Sequence, residues 1–214
     1  MAAGRRSVAI FDVGGVLLEW NPRHLYRKLF ASDAAMEEFL ATVCTKEWNE
    51  RQDAGRTFAE ATRELMSRHA DKRALIEAWR QRFDEMIPGA IDGVVDTLAE
   101  LKARNVPLYA ITNFSAETFP PQLERFEFFS WFDGIVVSGV ERVMKPDARI
   151  FRILLERYAV APEAAVFIDD VAVNADAATQ LGIHGIHYRT PGQLRGELAA
   201  VGLLPPSTPS ANAP

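Results

Sequence analysis

Four small groups of polar residues border apolar runs, and their types suit the holding of a metal cation. Asp12 follows Val8-Ala-Ile-Phe11 and leads into Val13-Gly14-Gly15. Thr112 and Asn113 follow Pro107-Leu-Tyr-Ala-Ile111, and Asp169-Asp170 follows Ala165-Val-Phe-Ile168, with Lys145-Pro146-Asp147 opening the stretch that leads to this last run. Carboxylates gathered at one point repel unless a cation joins them, and hard oxygen donors favour Mg²⁺. Singly, each group has a plainer reading. An Asp after a strand is a common turn former or helix cap, Thr112-Asn113 suits a turn, Lys145 suits a solvated surface, and one Gly-Gly pair says little. Their order on successive elements is what argues for one site.

Such a site requires the runs to be strands of one sheet. Together with Ile135-Val-Val137 and Gly185-Ile-His-Tyr188 they are near-continuously apolar, as parallel strands buried on both faces are. Between them, Val94, Val95, Leu98 and Leu101, and then Ile150, Phe151, Leu154, Leu155 and Tyr158, recur at helical spacing, with Asp92 and Asp147 placed as helix starts. The expected fold is α/β: a doubly wound, Rossmann-like parallel sheet of five strands, with ligands bound at the carboxyl ends of the strands. Residues 18–88 contain no convincing strand. Their apolar stripes (Met36, Phe39, Leu40 and Val43; Phe58, Leu65 and Met66; Leu75, Ile76, Trp79, Phe83 and Met86) and the capping-box spacing of Thr57 and Glu60 predict an inserted all-helical cap. The expected division is a catalytic core from 1–17 and 89–204, a helical cap from 18–88, and a loose tail from 205–214, which lacks apolar residues to repay ordering.

Composition excludes several functions. Of 214 residues 48% are hydrophobic, enough for a sizeable core, and a net charge of -5 with scattered basic residues argues against nucleic-acid binding. The N-terminal apolar run is too short for a signal peptide and no stretch reaches transmembrane length, so a cytoplasmic protein without membrane association is expected. The single cysteine, Cys44, reads as a buried structural residue. His24, His69, His184 and His187 form no ligand cluster, although the last two flank the fifth run. No feature of the sequence sets an oligomeric state.

The motif set resembles that of haloacid dehalogenase-like hydrolases over roughly Val8 to Tyr188. Phe11-Asp12-Val-Gly-Gly-Val16 is similar to the family's first motif, Ile111-Thr112-Asn113 to its second, and Lys145-Pro146-Asp147 with Ile150-Phe151 to its third. Phe167-Ile-Asp169-Asp170, followed by Asn174, resembles the fourth. In the insert, Trp48-Asn-Glu-Arg51 to Asp53-Ala-Gly55 is similar to the branch containing bacterial glucose-1-phosphate phosphatase and the N-terminal phosphatase domain of soluble epoxide hydrolases. The resemblance implies Asp12 as nucleophile, attacking phosphorus to give an aspartyl-phosphate that water cleaves. It implies Mg²⁺ held by Asp12, the backbone carbonyl of Gly14 and Asp169 or Asp170. Thr112 and Asn113 would hold phosphoryl oxygens, Lys145 would neutralise charge, and Asn174 would orient the metal loop. The substrate so implied is a small phosphorylated metabolite.

One departure changes the expected chemistry. Most phosphatases of the family carry a second Asp two residues after the nucleophile, as general acid and base, and here that position is Gly14. Such a group contributes about 10²–10⁴-fold. Esters whose leaving oxygen departs without a proton, anomeric sugar phosphates above all, are therefore the favoured class. The main rival is a metal-independent 2-haloacid dehalogenase, with Arg23 or Arg27 as halide ligand, but the Asp169-Asp170 pair favours phosphoryl transfer. A weakly catalytic phospholigand-binding protein is the third reading. Trp20, Asn21, Trp48, Asn49 and Arg51 are expected on the cap side of the pocket, with packing as the alternative for the two tryptophans. Glu141 and Arg142, just before Lys145, read as solvated.

Overall fold

The computed structural model describes residues 6–206; most of the expected tail lies outside them. The apolar runs form strands β1 (Val8–Phe11), β2 (Leu108–Thr112), β3 (Gly134–Val137), β4 (Ala165–Asp169) and β5 (His184–His187). All neighbours pair in parallel, in the spatial order β3-β2-β1-β4-β5. Successive residues of β1 enter opposite faces: Ala9 and Phe11 join one buried cluster, Ile10 the other. This is why the run carries no polar alternation. The chain steps from β1 outward through β2 to β3, then returns to β4 on β1's other side. The crevice of the doubly wound sheet therefore opens between β1 and β4. Phe11 pairs with Ile168, so Asp12 and Asp169 leave the sheet at the same level.

The inserted stretch after β1 holds five α-helices: α1 (Arg23–Tyr26), α2 (Asp33–Thr42), α3 (Lys46–Asp53), α4 (Phe58–Arg68) and α5 (Arg73–Gln81). Their shared core is aromatic. Tyr26 packs on Phe39 and Trp79, and Trp48 meets Trp79 edge-to-face at 5.4 Å. The Thr57–Glu60 capping box starts α4. The connections into and out of the insert run antiparallel: Leu18 bridges Ala90, the Glu19 amide donates to the Gly89 carbonyl at 3.0 Å, and the Ile91 amide donates to that of Leu17 at 2.9 Å.

The remaining helices are α6 (Asp92–Ala103), α7 (Pro120–Arg125), α8 (Ser138–Glu141), α9 (Ala148–Arg157), α10 (Ala172–Gln180) and α11 (Pro191–Ala200). Asp147 caps α9 by accepting the Arg149 amide at 2.9 Å. Asp92 is instead the first residue of α6 and makes no cap, since Ile91 holds that position. Among the described residues, no helix is long and apolar enough to cross a membrane.

Candidate active site

Three carboxylates, Asp12, Asp169 and Asp170, meet at the ends of β1 and β4, each offering an oxygen within 4.8 Å of the others. Lys145 stands among them. Its Nζ lies 2.8 Å from Asp12 Oδ1 and 2.7 Å from Asp169 Oδ2, with no side-chain exposure, and 5.4 Å from the centre of the Phe167 ring. Burial works against the lysine's charge, but Asp12 and Asp169 more than offset it and raise its pKa. Burial likewise pushes the Asp12 carboxyl up; Lys145 pulls it back, and Asp169 pushes it further. Asp170 is also raised, by burial first and Asp169 second. Three carboxylates against one ammonium leave two negative charges, the charge that one divalent cation offsets. All the donors are hard oxygens, so the residues fit Mg²⁺.

The three acids are not equivalent. Asp169 is fully buried, and its oxygens accept from Lys145, from Asn174 Nδ2 at 3.0 and 3.1 Å, and from the Val171 amide at 2.8 Å. Asp12 and Asp170 line a cavity of about 510 Å³. Gly15, with φ +77°, lies so close to Asp170 that a Cβ there would fall 2.4 Å from Oδ2; only glycine lets this loop turn against the carboxylate. Gly14 is different. A Cβ added there meets nothing nearer than Trp20 Cβ at 4.0 Å, so the position of the missing second Asp is open.

At the end of β2, Thr112 is buried and its hydroxyl has no hydrogen-bond partner among the described residues. The Asn113 side chain is spent on the lysine loop: Nδ2 donates to the Lys145 carbonyl at 3.0 Å and Oδ1 accepts the Lys145 amide at 2.9 Å. It thereby positions Lys145, while also lining the cavity.

From the insert, Trp20, Lys46, Asn49, Glu50, Asp53 and Phe83 line the cavity. Trp48 and Arg51 do not. Trp48 is buried in the aromatic core of the insert, and Arg51 points to solvent near Glu64. The reason is helical geometry: 46, 49, 50 and 53 fall on one face of α3, whereas 48 and 52 form the buried face. That polar i, i+3, i+4, i+7 stripe is the signal by which sequence reasoning could have found Lys46, Glu50 and Asp53. Asn21 helps shape the turn into α1, its Oδ1 accepting the Arg23 amide at 3.0 Å. Arg23 pairs with Glu37 and Arg27 with Asp33, and neither lines the cavity. Cys44 is buried, its thiol pushed up to about 12 by burial, which makes it a poor nucleophile. His184 and His187 lie within β5 rather than beside it, and His187 Nε2 is 3.1 Å from the Asp170 carbonyl. Glu141 pairs with Arg157 at 2.8 Å.

Known proteins are similar to this chain in sequence and in fold. A sesquiterpene phosphatase of Aspergillus oryzae is 28% identical over 84% of this chain and 88% of its own length. A phosphorylated carbohydrates phosphatase of Thermotoga maritima is 27% identical over 92% of this chain and 93% of its own. A HAD family enzyme of Bacteroides thetaiotaomicron shares the fold with a TM-score of 0.70 at 22% identity, over 90% of this chain and 98% of that one. That enzyme has also been solved with magnesium and inorganic phosphate. The family model for haloacid dehalogenase-like hydrolases matches residues 7–182. This match runs from just before β1 to just past α10 and takes in every residue of the acid cluster; the chain belongs to the haloacid dehalogenase-like hydrolases.

Proposed function

We propose that this hydrolase is a Mg²⁺-dependent phosphatase of small phosphorylated metabolites, working through an aspartyl-phosphate on Asp12. The single observation that carries the reading is the charge of the strand-end cluster, in which Lys145 offsets one of three carboxylates and a divalent cation would offset the other two. Asp12, the Gly14 carbonyl, Asp169 and Asp170 would hold the ion. When bound, Mg²⁺ screens the approach of one anion to another. Asp12 is the acid that both faces the cavity and touches Lys145, so an in-line attack by its carboxylate begins beside a fixed positive charge. The orphaned Thr112 hydroxyl suits a phosphoryl oxygen, and Asn113 and Asn174 keep Lys145 and Asp169 in place. Both curated relatives described above are phosphatases by name.

With Gly14 supplying no acid, sugar phosphates, and among them anomeric esters, are the favoured class, alongside other esters with easily departing groups. The dehalogenase reading lacks support for its halide ligand, because neither Arg23 nor Arg27 lines the cavity. The test is a phosphoester panel with and without Mg²⁺, comparing anomeric with alkyl sugar phosphates and including a 2-haloacid. Hydrolysis of phosphoesters that stops on chelation and in Asp12→Asn is expected. Chelator-insensitive release of halide, or activity retained in folded Asp12→Asn, overturns the assignment.

A further inference from the structure

The open position at Gly14 leaves the leaving oxygen without a donor from the core, so the remaining cavity wall must be searched for one. Six titratable side chains line it: Asp12, Lys46, Glu50, Asp53, Lys145 and Asp170. Asp12 is the nucleophile, Lys145 is held between two acids, and Asp170 belongs to the cation site. Lys46 and Glu50 face each other at 3.6 Å in solvent, with side chains 81% and 43% exposed. Asp53 is the one left. It is half-buried and makes no ion pair among the described residues.

We propose that Asp53, on the insert, takes the acid–base part that Gly14 cannot: its carboxylic acid protonates the departing oxygen, and its carboxylate then accepts a proton from the attacking water. The proposal rests on the phosphatase reading and extends it to a catalytic residue outside the strand-end motifs.

The side chain is anchored for such a task. Asn49 Nδ2 donates to Asp53 Oδ2 at 2.9 Å, and the Ser115 amide lies beside the same carboxylate and favours its charged form. Its backbone carbonyl accepts the Ser138 hydroxyl at 2.6 Å, and that hydroxyl in turn accepts the Phe114 amide at 2.9 Å. Asp53 is thus tied to the loop that begins with Thr112 and Asn113. Gly55 makes the close approach feasible: its φ is +98°, and a Cβ there would lie 2.8 Å from Arg142 Cγ. Burial, with Glu50 adding to it, holds the Asp53 carboxyl well above the ordinary carboxylate range, against the pull of the Ser115 amide. Of the charged groups on the elements around it, Glu50 lies on its own helix. Glu117 and Glu141 are paired with Arg80 and Arg157, and Arg142 closes over Gly55.

The steps balance. An Asp12 oxygen forms a bond to phosphorus as the ester P–O bond breaks, and the Asp53 proton goes to the alkoxide, which leaves as alcohol. Water then attacks phosphorus, gives its proton to the Asp53 carboxylate, and the Asp12–phosphorus bond breaks to release inorganic phosphate. Aryl and anomeric esters remain the faster substrates, and Asp53 sets how far the alkyl esters fall behind.

The test compares kcat/KM, which reports the steps through phosphoenzyme formation, for 4-nitrophenyl phosphate and glycerol 2-phosphate with Mg²⁺. Asp53→Asn is expected to cost the alkyl ester about 100-fold and the aryl ester less than about tenfold. Wild-type kcat/KM for the alkyl ester should fall as pH rises, with the loss of one proton at a pH above the ordinary carboxylate range, a limb absent from the aryl profile. Equal losses for the two esters, no loss, or identical wild-type pH profiles overturn the proposal, and the last needs no variant to fold. Hydrolysis of 4-nitrophenyl phosphate that depends on Asp12 sustains the phosphatase reading whatever Asp53 does; its absence removes both.

Discussion

Lys145 is the side chain at the strand ends that the site can least spare. Removing it leaves two buried carboxylates facing each other with no cation, and an uncompensated buried charge costs more than the lost contact itself. Lys145→Ala should therefore lose roughly 3–5 kcal/mol of stability in urea unfolding without metal, and about 100-fold or more in turnover. Added Mg²⁺ should restore part of the stability and little of the rate. Gly14 allows the opposite experiment, a gain. Because a Cβ there has 4.0 Å of clearance, Gly14→Asp should raise kcat/KM for alkyl phosphates relative to aryl ones. An unchanged ratio would mean that proton delivery from this position does not limit the reaction. At this scale the sequence is informative for Asp12 and the two adjacent acids, because each follows an apolar run whose end fixes its location, and for Lys145 because it stands just before the helix that leads to the fourth run. The use of Asn113 was not legible, since a clamp on the Lys145 backbone depends on how two loops lie against each other.

Among elements, the strands were readable within a residue or so because burial on both faces leaves a continuous apolar signature. Helix α3 was hidden for the complementary reason. One of its faces lines the cavity and another meets solvent, so only Trp48 and its neighbours on the buried side mark it. The element with the weakest apolar pattern is thus the one that furnishes the pocket wall. It also depends on Trp48 for its seat. Trp48→Ala removes a 5%-exposed indole packed on Phe58 and Trp79 and should destabilise the protein by about 3–5 kcal/mol in denaturant unfolding. Since Trp48 does not line the cavity, any catalytic loss should come with the loss of stability, as the wall formed by Asn49, Glu50 and Asp53 loosens. Loss confined to kcat at unchanged stability would contradict this placement.

For the whole molecule, the excess negative charge makes stability depend on pH and metal together. Asp12, raised to about 7, and Asp170, also raised, bind protons more tightly in the folded than in the unfolded chain. Between the ordinary carboxylate range and neutrality the native state therefore carries more protons, and stability of the metal-free protein falls as pH rises through that window. Mg²⁺ competes with those protons, so its stabilising effect should grow in the same direction. At a hundredfold excess over its dissociation constant it contributes about 2.7 kcal/mol, or roughly 5–10 °C in Tm for a chain of this size. Melting with and without Mg²⁺ at pH 5.5 and 8 checks this: the Tm gain should be larger at pH 8. Equal gains would show that the acids are not the cation's ligands. The order of the sheet could not be read from the runs alone, because the side on which each crossover lands depends on packing between distant elements; the return of β4 to β1 is what brings Asp169 beside Asp12.

The paired connections at the root of the insert have a mechanical meaning. Leu17–Glu19 and Gly89–Ile91 are laced together by backbone hydrogen bonds into a two-ply ribbon. A ribbon flexes across its flat side more readily than it shears in its own plane. Any swing of the insert is therefore confined to nearly one arc, as a door is by its hinge pin. A substrate would enter through a gap of reproducible shape, and on return α3 would meet the same strand ends without a search. Accuracy at the far side of the pocket is then inherited from the stiffness of six residues that do not line the cavity.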